Sequence, residues 1–311
     1  MRTSSTTRAW FQIHFCVVLW GFTAILGKVI TLQALPLVWW RMTLVTIALL
    51  LFRRVWTGLA QLPWRLIAVY AGIGVVVALH WLAFYGSIKL SNASVAATCM
   101  ALTPVFIAFI EPFLVGRRFD ARELIFALAI IPGVALVVGG TPDQMHLGIA
   151  VGAASAFFVA VFGSLNKRYI EHGDALCVTG IEMAAGALFL SLAGPLLPGT
   201  GPLFVLPDSH DFLLLLALSM GCTLFPFALS LMALRHLSAF TTALAVNMEP
   251  VYAIVLAIVL LGEQRELEPH FYLGVAIIMA VVFSHPLLVR QQSVIADGVA
   301  GAGQPGRDKN G

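Results

Sequence analysis

The chain has 311 residues, of which 60% are apolar and only 11% charged, with a mean hydropathy of +0.94. Soluble globular chains carry roughly 45–50% apolar and about 25% charged residues, so composition excludes an ordinary cytosolic enzyme, a nucleic-acid binder and a disordered protein. A net charge of +3 is too small to call for a polyanionic partner.

A helix needs about 20 apolar residues to cross a hydrocarbon core ~30 Å thick. Apolar runs between charge and turn clusters predict ten spans, at about 10–31, 35–52, 66–87, 93–115, 122–140, 146–165, 175–195, 211–233, 239–261 and 270–289. They lack the polar/apolar alternation of barrel strands. The first run contains His14 and has no small-residue cleavage pattern, so it reads as a span rather than a signal peptide. The connections are brief, and the longest, 196–210, is rich in Pro and Gly. The fold class is therefore all-α and polytopic, with a short N-terminal segment (1–9), five-helix units at 10–140 and 146–289, and a polar tail (290–311) read as disordered. With the N-terminus inside, Lys28, Arg41, Lys89 and Arg265 are the outer cations, and the other fourteen of the eighteen Lys and Arg fall inside. That bias places both termini in the cytoplasm.

The four cysteines, Cys16, Cys99, Cys177 and Cys222, lie in apolar runs without CxxC spacing, which predicts core packing and neither disulfide nor metal. Residues 93–116 and 239–262 are similar to one another. At a constant offset of 146, Ala93, Ala97, Pro104, Val105, Leu114 and Gly116 match Ala239, Ala243, Pro250, Val251, Leu260 and Gly262. One copy is the fourth span and the other the ninth, so they cross in opposite senses and a five-helix unit is duplicated upside down. Inverted repeats of this kind are a transporter signature, with substrate near the midplane between the halves.

Trp20-Gly21 with Lys28, Pro36 with Arg41, and Glu249-Pro250 ending in Leu261-Gly262-Glu263 carry a resemblance over about residues 10–289. The chain resembles the drug/metabolite transporter superfamily, in its EamA-type ten-helix permeases. One departure is plain: the first copy has Gly116-Arg117 where the second has Gly262-Glu263. The resemblance implies movement of small metabolites, often export, across a bacterial-type inner membrane, with amino acids and their derivatives as common cargo and a central cavity between the halves. It implies a small-molecule solute and the lipid bilayer as partners, in a monomer or homodimer.

Ionisable groups inside a bilayer are costly and default to functional hypotheses. Glu249 lies near the middle of the ninth span, before Pro250 and after Asn247, in a stretch expected to be locally broken. It suits a substrate amine or a proton. Glu182 is the second candidate for coupling. Trp20, on a stripe with Thr23, offers an aromatic wall with a hydroxyl beside it. His80, with Trp81 and Tyr85 near, and Thr103 complete the candidate substrate-binding set, while the other tryptophans, Trp81 among them, mostly read as interface belts or loops. Lys28 and Arg41 read as a cationic mouth or as snorkelling side chains, and Pro104, Pro226 and Pro250 as hinges. In the sixth span, Gly148, Gly152, Ala156, Ala160 and Ser164 form a small-residue packing stripe. The sequence has no HExxH, GxSxG or P-loop, and its aspartates lie in loops, at loop edges or in the tail. No cofactor, metal, nucleic acid or ATPase subunit is called for. A flippase for a lipid-linked substrate is the alternative, and a polytopic membrane enzyme the weaker one.

Overall fold

The structure, a computed structural model, describes residues 5–284 except 117, 120, 197–201, 235, 238–244, 247 and 282. Ala239, Ala243, Asn247 and the predicted disordered tail lie outside the described residues.

All regular elements among the described residues are helical. They are α1 (Ser5–Val29), α2 (Ala34–Leu50), α3 (Arg53–Gln61), α4 (Trp64–Leu90), α5 (Ala93–Met100), α6 (Thr103–Val115), α7 (Ala121–Gly139), α8 (His146–Tyr169), α9 (Ala175–Ala193), α10 (Ser209–Leu216) and α11 (Phe225–Leu234). A helix Glu249–Leu256 and an apolar helix Pro269–Val281 follow. Side-chain caps set several boundaries, because the first N–H groups of a helix have no partner within it. Asn92 accepts from Val95 N at 2.9 Å, Asp174 from Leu176 N at 3.1 Å, and Asp208 from Asp211 N at 2.7 Å.

Helices lie on each of the ten predicted runs. Six are long and apolar enough to cross a membrane: Thr7–Val29, Trp64–Leu90, Ala93–Val115, Asp143–Tyr169, Ala175–Ala193 and Ser209–Leu234. The count is seven if α2 and α3 form one bent span, while Leu128–Gly139, Glu249–Leu261 and Pro269–Val281 are shorter. Length and apolarity thus support six or seven of the ten predicted crossings.

Residues 53–61, read from the sequence as part of a loop, instead form α3, which turns 89° from α2. The reason is local amphipathicity. Val55 is buried, Arg53 and Trp56 are exposed, and the Trp56 indole donates to the carbonyl of Leu50 at 2.8 Å, closing the corner. Arg54 is tied to Asp174, the cap of α9, at 2.6 Å. Such a helix, with Trp and Arg facing out, suits a membrane–water interface.

The small-residue stripe of α8 is buried along its length, and α8 packs closely on α4, α5 and α6. A Cβ added at Gly152 would stand 2.7 Å from Cys99 Sγ, so the backbones approach as the stripe requires. All four cysteines are free and buried.

The two copies of the internal repeat share their irregularities. In the first, the span breaks at Ala101-Leu102 and resumes at Thr103-Pro104. In the second it resumes at Glu249-Pro250 after Met248. Proline is tolerated in a first turn, where its missing N–H costs no bond. Both copies end on a left-handed glycine, Gly116 with φ 76° and Gly262 with φ 72°, the usual helix stop.

Candidate functional site

A cavity of about 170 Å³ lies at these breaks. Met100 and Thr103 reach it from the first copy and Val246 and Glu249 from the second. These are equivalent positions at the repeat offset, so the same break delivers the same two wall positions twice. Around them stand Trp20 and Thr23 of α1, Arg41 of α2, His80, Trp81 and Phe84 of α4, Phe162, Ser164 and Asn166 of α8, and Thr223, Phe227 and Ser230 from the segment preceding α11 and from α11 itself.

Arg41 is the most elaborately held of these. Its side chain is 2% exposed. Nε donates to Thr223 Oγ1 at 2.6 Å and Nη1 to the Tyr85 hydroxyl at 2.7 Å. The guanidinium carbon sits 3.7 Å from the centroid of the Trp81 ring, a cation–π contact that gains strength where water is excluded. The position of Thr223 follows from the backbone. Pro226 has no N–H to continue an α-helical ladder, and the turns before it, Ala217–Leu224, widen into a π-helix. Thr223 Oγ1 then donates five residues back, to the carbonyl of Leu218 at 2.7 Å, leaving its lone pair for Arg41. The Tyr85 ring lies directly against Gly27, where any Cβ would collide with it. Two of the five guanidinium N–H groups are used, and the others have no partner among the described residues.

Glu249 opens the helix Glu249–Leu256, at the positive end of its dipole. It makes no hydrogen bond or ion pair with another described residue. Arg41 lines the same cavity, yet no ion-pair contact joins the two side chains. Two opposite charges therefore face one cavity without neutralising each other directly. Its walls are apolar and aromatic: Trp20, Phe84, Phe162 and Phe227. His80 stands with Nδ1 2.7 Å from Ser155 Oγ and its ring beside Phe162, 5.5 Å between centroids.

Of the sequence candidates, the cavity brings together Trp20, Thr23, His80, Thr103, Glu249 and Arg41. Tyr85 stands behind Arg41 as its holder. Arg41, expected at a mouth, lies instead inside the cavity wall, and Lys28 is half-buried near the end of α1, away from that wall. Glu182 is fully buried behind the wall. Pro104 and Pro250 sit at the two breaks and Pro226 after the π-helical turns. Trp81, read as an interface residue, is 6% exposed and lies under Arg41. Thr223, Ser164, Asn166 and Ser230 were not singled out as site residues. Ser164 ends the small-residue stripe, so a hydroxyl closing that stripe was a usable signal.

A polar clamp ties the second copy to the first. Glu263, 1% exposed, accepts from Ala93 N at 3.0 Å, Ser94 N at 2.8 Å and Ser94 Oγ at 2.7 Å. Glu266 accepts from Asn92 Nδ2 at 3.0 Å. The carboxylates that follow Gly262 thus cap the N-terminus of α5. Arg117, at the matching place in the first copy, lies outside the described residues.

Nineteen chains of solved structures match this one. One, a crystal structure described only as that of a protein, superposes with a TM-score of 0.63 at 20% identity, over 92% of this chain and 99% of the other. At that identity the likeness shows the fold. No curated protein matches the sequence. The pattern of the EamA-like transporter family matches twice, at residues 9–139 and 146–293, and those two stretches are the two copies whose breaks meet at the cavity. The chain belongs to the EamA-like transporter family, multi-pass membrane transporters of the drug/metabolite type rather than enzymes.

Proposed function

We propose that this protein is a secondary transporter that carries a small zwitterionic, amphipathic solute, an amino acid or close relative with an apolar or aromatic side chain, out across a bacterial-type inner membrane. The observation that carries the reading is the pair Arg41 and Glu249, of opposite charge, facing one cavity without pairing. A free carboxylate fits the unused N–H groups of Arg41, whose fork matches it in a way a point charge does not. An ammonium group fits Glu249. The aromatic wall between them takes the side chain.

Ten crossings in two inverted five-helix halves, with both termini cytoplasmic, give the two-state machine this needs. The halves rock about the site, and Thr103-Pro104 and Glu249-Pro250 are matched points of bending, with Pro226 as a third. The solute's own gradient or proton exchange drives net movement. Glu249 and Glu182 are the carboxyls available to a proton, and we assign Glu249 to the substrate amine.

Counterflow in proteoliposomes tests this. Wild-type protein exchanges radiolabelled phenylalanine, and Glu249→Gln lowers the rate by about tenfold or more, the effect of losing ~1.4 kcal/mol or more of charge recognition. Undiminished exchange in the variant would contradict the assignment of Glu249. Failure of the wild type to exchange any amino acid, with movement of a lipid-linked solute in its place, would replace the reading with that of a flippase.

A further inference from the structure

Glu182 lies seven residues into α9 from Ala175, roughly 10 Å along the helix axis at 1.5 Å per residue. It is completely buried, and neither carboxyl oxygen has a hydrogen-bond partner. Its polar neighbour is the side chain of Asn166, which also lines the substrate cavity and whose own Oδ1 is buried without a partner. On the other side, α4 comes so close at Gly74 that a Cβ there would collide with the backbone of Glu182. The residue is thus completely buried, with α4 pressed against its main chain and the Asn166 amide between its carboxyl and the cavity.

None of the charged or titratable groups on the surrounding helices pairs with Glu182. Arg53 on α3 and Arg65 on α4 are exposed, and on α4 Lys89 donates to the carbonyl of Ile30 and the Tyr85 hydroxyl accepts from Arg41. Arg41 on α2 is held by Thr223 and Tyr85, and Arg54 on α3 by Asp174. On α4, the Tyr70 hydroxyl donates to the carbonyl of Tyr169 and His80 meets Ser155. Lys167 on α8 donates to the carbonyls of Leu234 and Leu237 at 2.9 and 3.0 Å, and α11 carries no ionisable side chain. No cation therefore stands at Glu182. Burying an ionised carboxylate without a cation costs several kcal/mol, whereas a carboxyl holding its proton avoids that cost.

We infer that Glu182 is a proton-carrying site one side chain behind the cavity wall, with Asn166 as the door between the two. The inference rests on the transport reading above and gives the driving ion a place separate from the solute. In the conformation described here the carboxyl holds the proton. When the halves rock and α8 shifts against α4, which packs on both α8 and α9, Asn166 opens the site, its amide and entering water stabilise the carboxylate, and the proton leaves to the compartment then facing the cavity. One proton is bound and one released, and no other bond changes.

Two measurements on the full chain in lipid test it. Dicyclohexylcarbodiimide, an apolar reagent that adds to protonated carboxyls, labels Glu182 of the wild type, and the labelled fraction falls as the buffer is made alkaline. Peptide mass spectrometry reads the site. In proteoliposomes, Glu182→Gln keeps phenylalanine counterflow near the wild-type rate but loses stimulation by a one-unit pH gradient, a gradient of about tenfold in proton activity. Absence of label at Glu182 over the whole pH range, full pH-gradient stimulation in the variant, or stimulation by a sodium gradient in place of protons would each overturn the inference. Should the wild type move no solute, the transport reading fails by itself, and the labelling result still decides whether Glu182 holds a proton.

Discussion

Arg41→Gln should cost about 2–5 kcal/mol of solute binding, which lowers affinity by about 30-fold or more. Glutamine keeps a donor but loses the charge, the cation–π contact with Trp81 and the fork that spans Thr223 and Tyr85. Arg41→Lys should fail nearly as badly, because a single ammonium cannot reach both of those oxygens and still present free N–H groups to a carboxylate. Isothermal titration with phenylalanine reads the loss, and size-exclusion chromatography checks that the variants remain folded. Wild-type affinity in either would remove Arg41 from the binding site.

The second large effect is on stability. Glu263→Ala deletes the acceptor for three buried donors, at Ala93 N, Ser94 N and Ser94 Oγ. Each donor left unpaired costs about 1–3 kcal/mol, so the clamp between the copies should lose at least ~3 kcal/mol. Glu263→Gln should lose less, since it keeps one acceptor oxygen. Thermal unfolding in detergent should rank wild type above Glu263→Gln above Glu263→Ala. An unchanged midpoint for Glu263→Ala would show that the clamp holds nothing together.

Helix positions were legible because apolar length between charge clusters is a strong, local signal. So was the repeat, since Pro104 with Gly116 and Pro250 with Gly262 mark the same break and the same stop. The place of Glu249 at the second break was legible from the repeat, and the structure puts it in the cavity wall, whereas Glu111 before Pro112, a carboxyl of the same local pattern, does not line it. Residues 53–61 were not. Nine residues with two arginines and a glutamine read as a loop, and only Val55 packing inward makes them a helix. The π-helical turns before Pro226 were equally hidden, because a proline in a long apolar run predicts a kink without saying that the preceding turns widen.

Arg41 shows why depth was misread. The charge and turn clusters that bound the run place it near the outer end of the second span, where a long stem normally carries its charge out to the headgroups, yet it is the eighth of the seventeen residues of α2. What holds it inside is Tyr85, 44 residues away, and Thr223, 182 residues away. Such long-range partners leave no trace in the local pattern, and Trp81 was read as an interface residue for the same reason. Glu182 was visible as an intramembrane carboxyl, but the lack of any cation around it emerges only from three-dimensional packing.

Equilibrium binding of phenylalanine and its end-blocked analogues to the purified protein tests the central claim most directly. With recognition of both charges by Arg41 and Glu249, blocking either the carboxylate as an amide or the amine as an N-acetyl group weakens binding by about tenfold or more, ~1.4 kcal/mol for each charge lost. Blocking both leaves little. If the doubly blocked compound binds as tightly as the free amino acid, the cavity does not read a zwitterion and the assignment of these two residues is wrong.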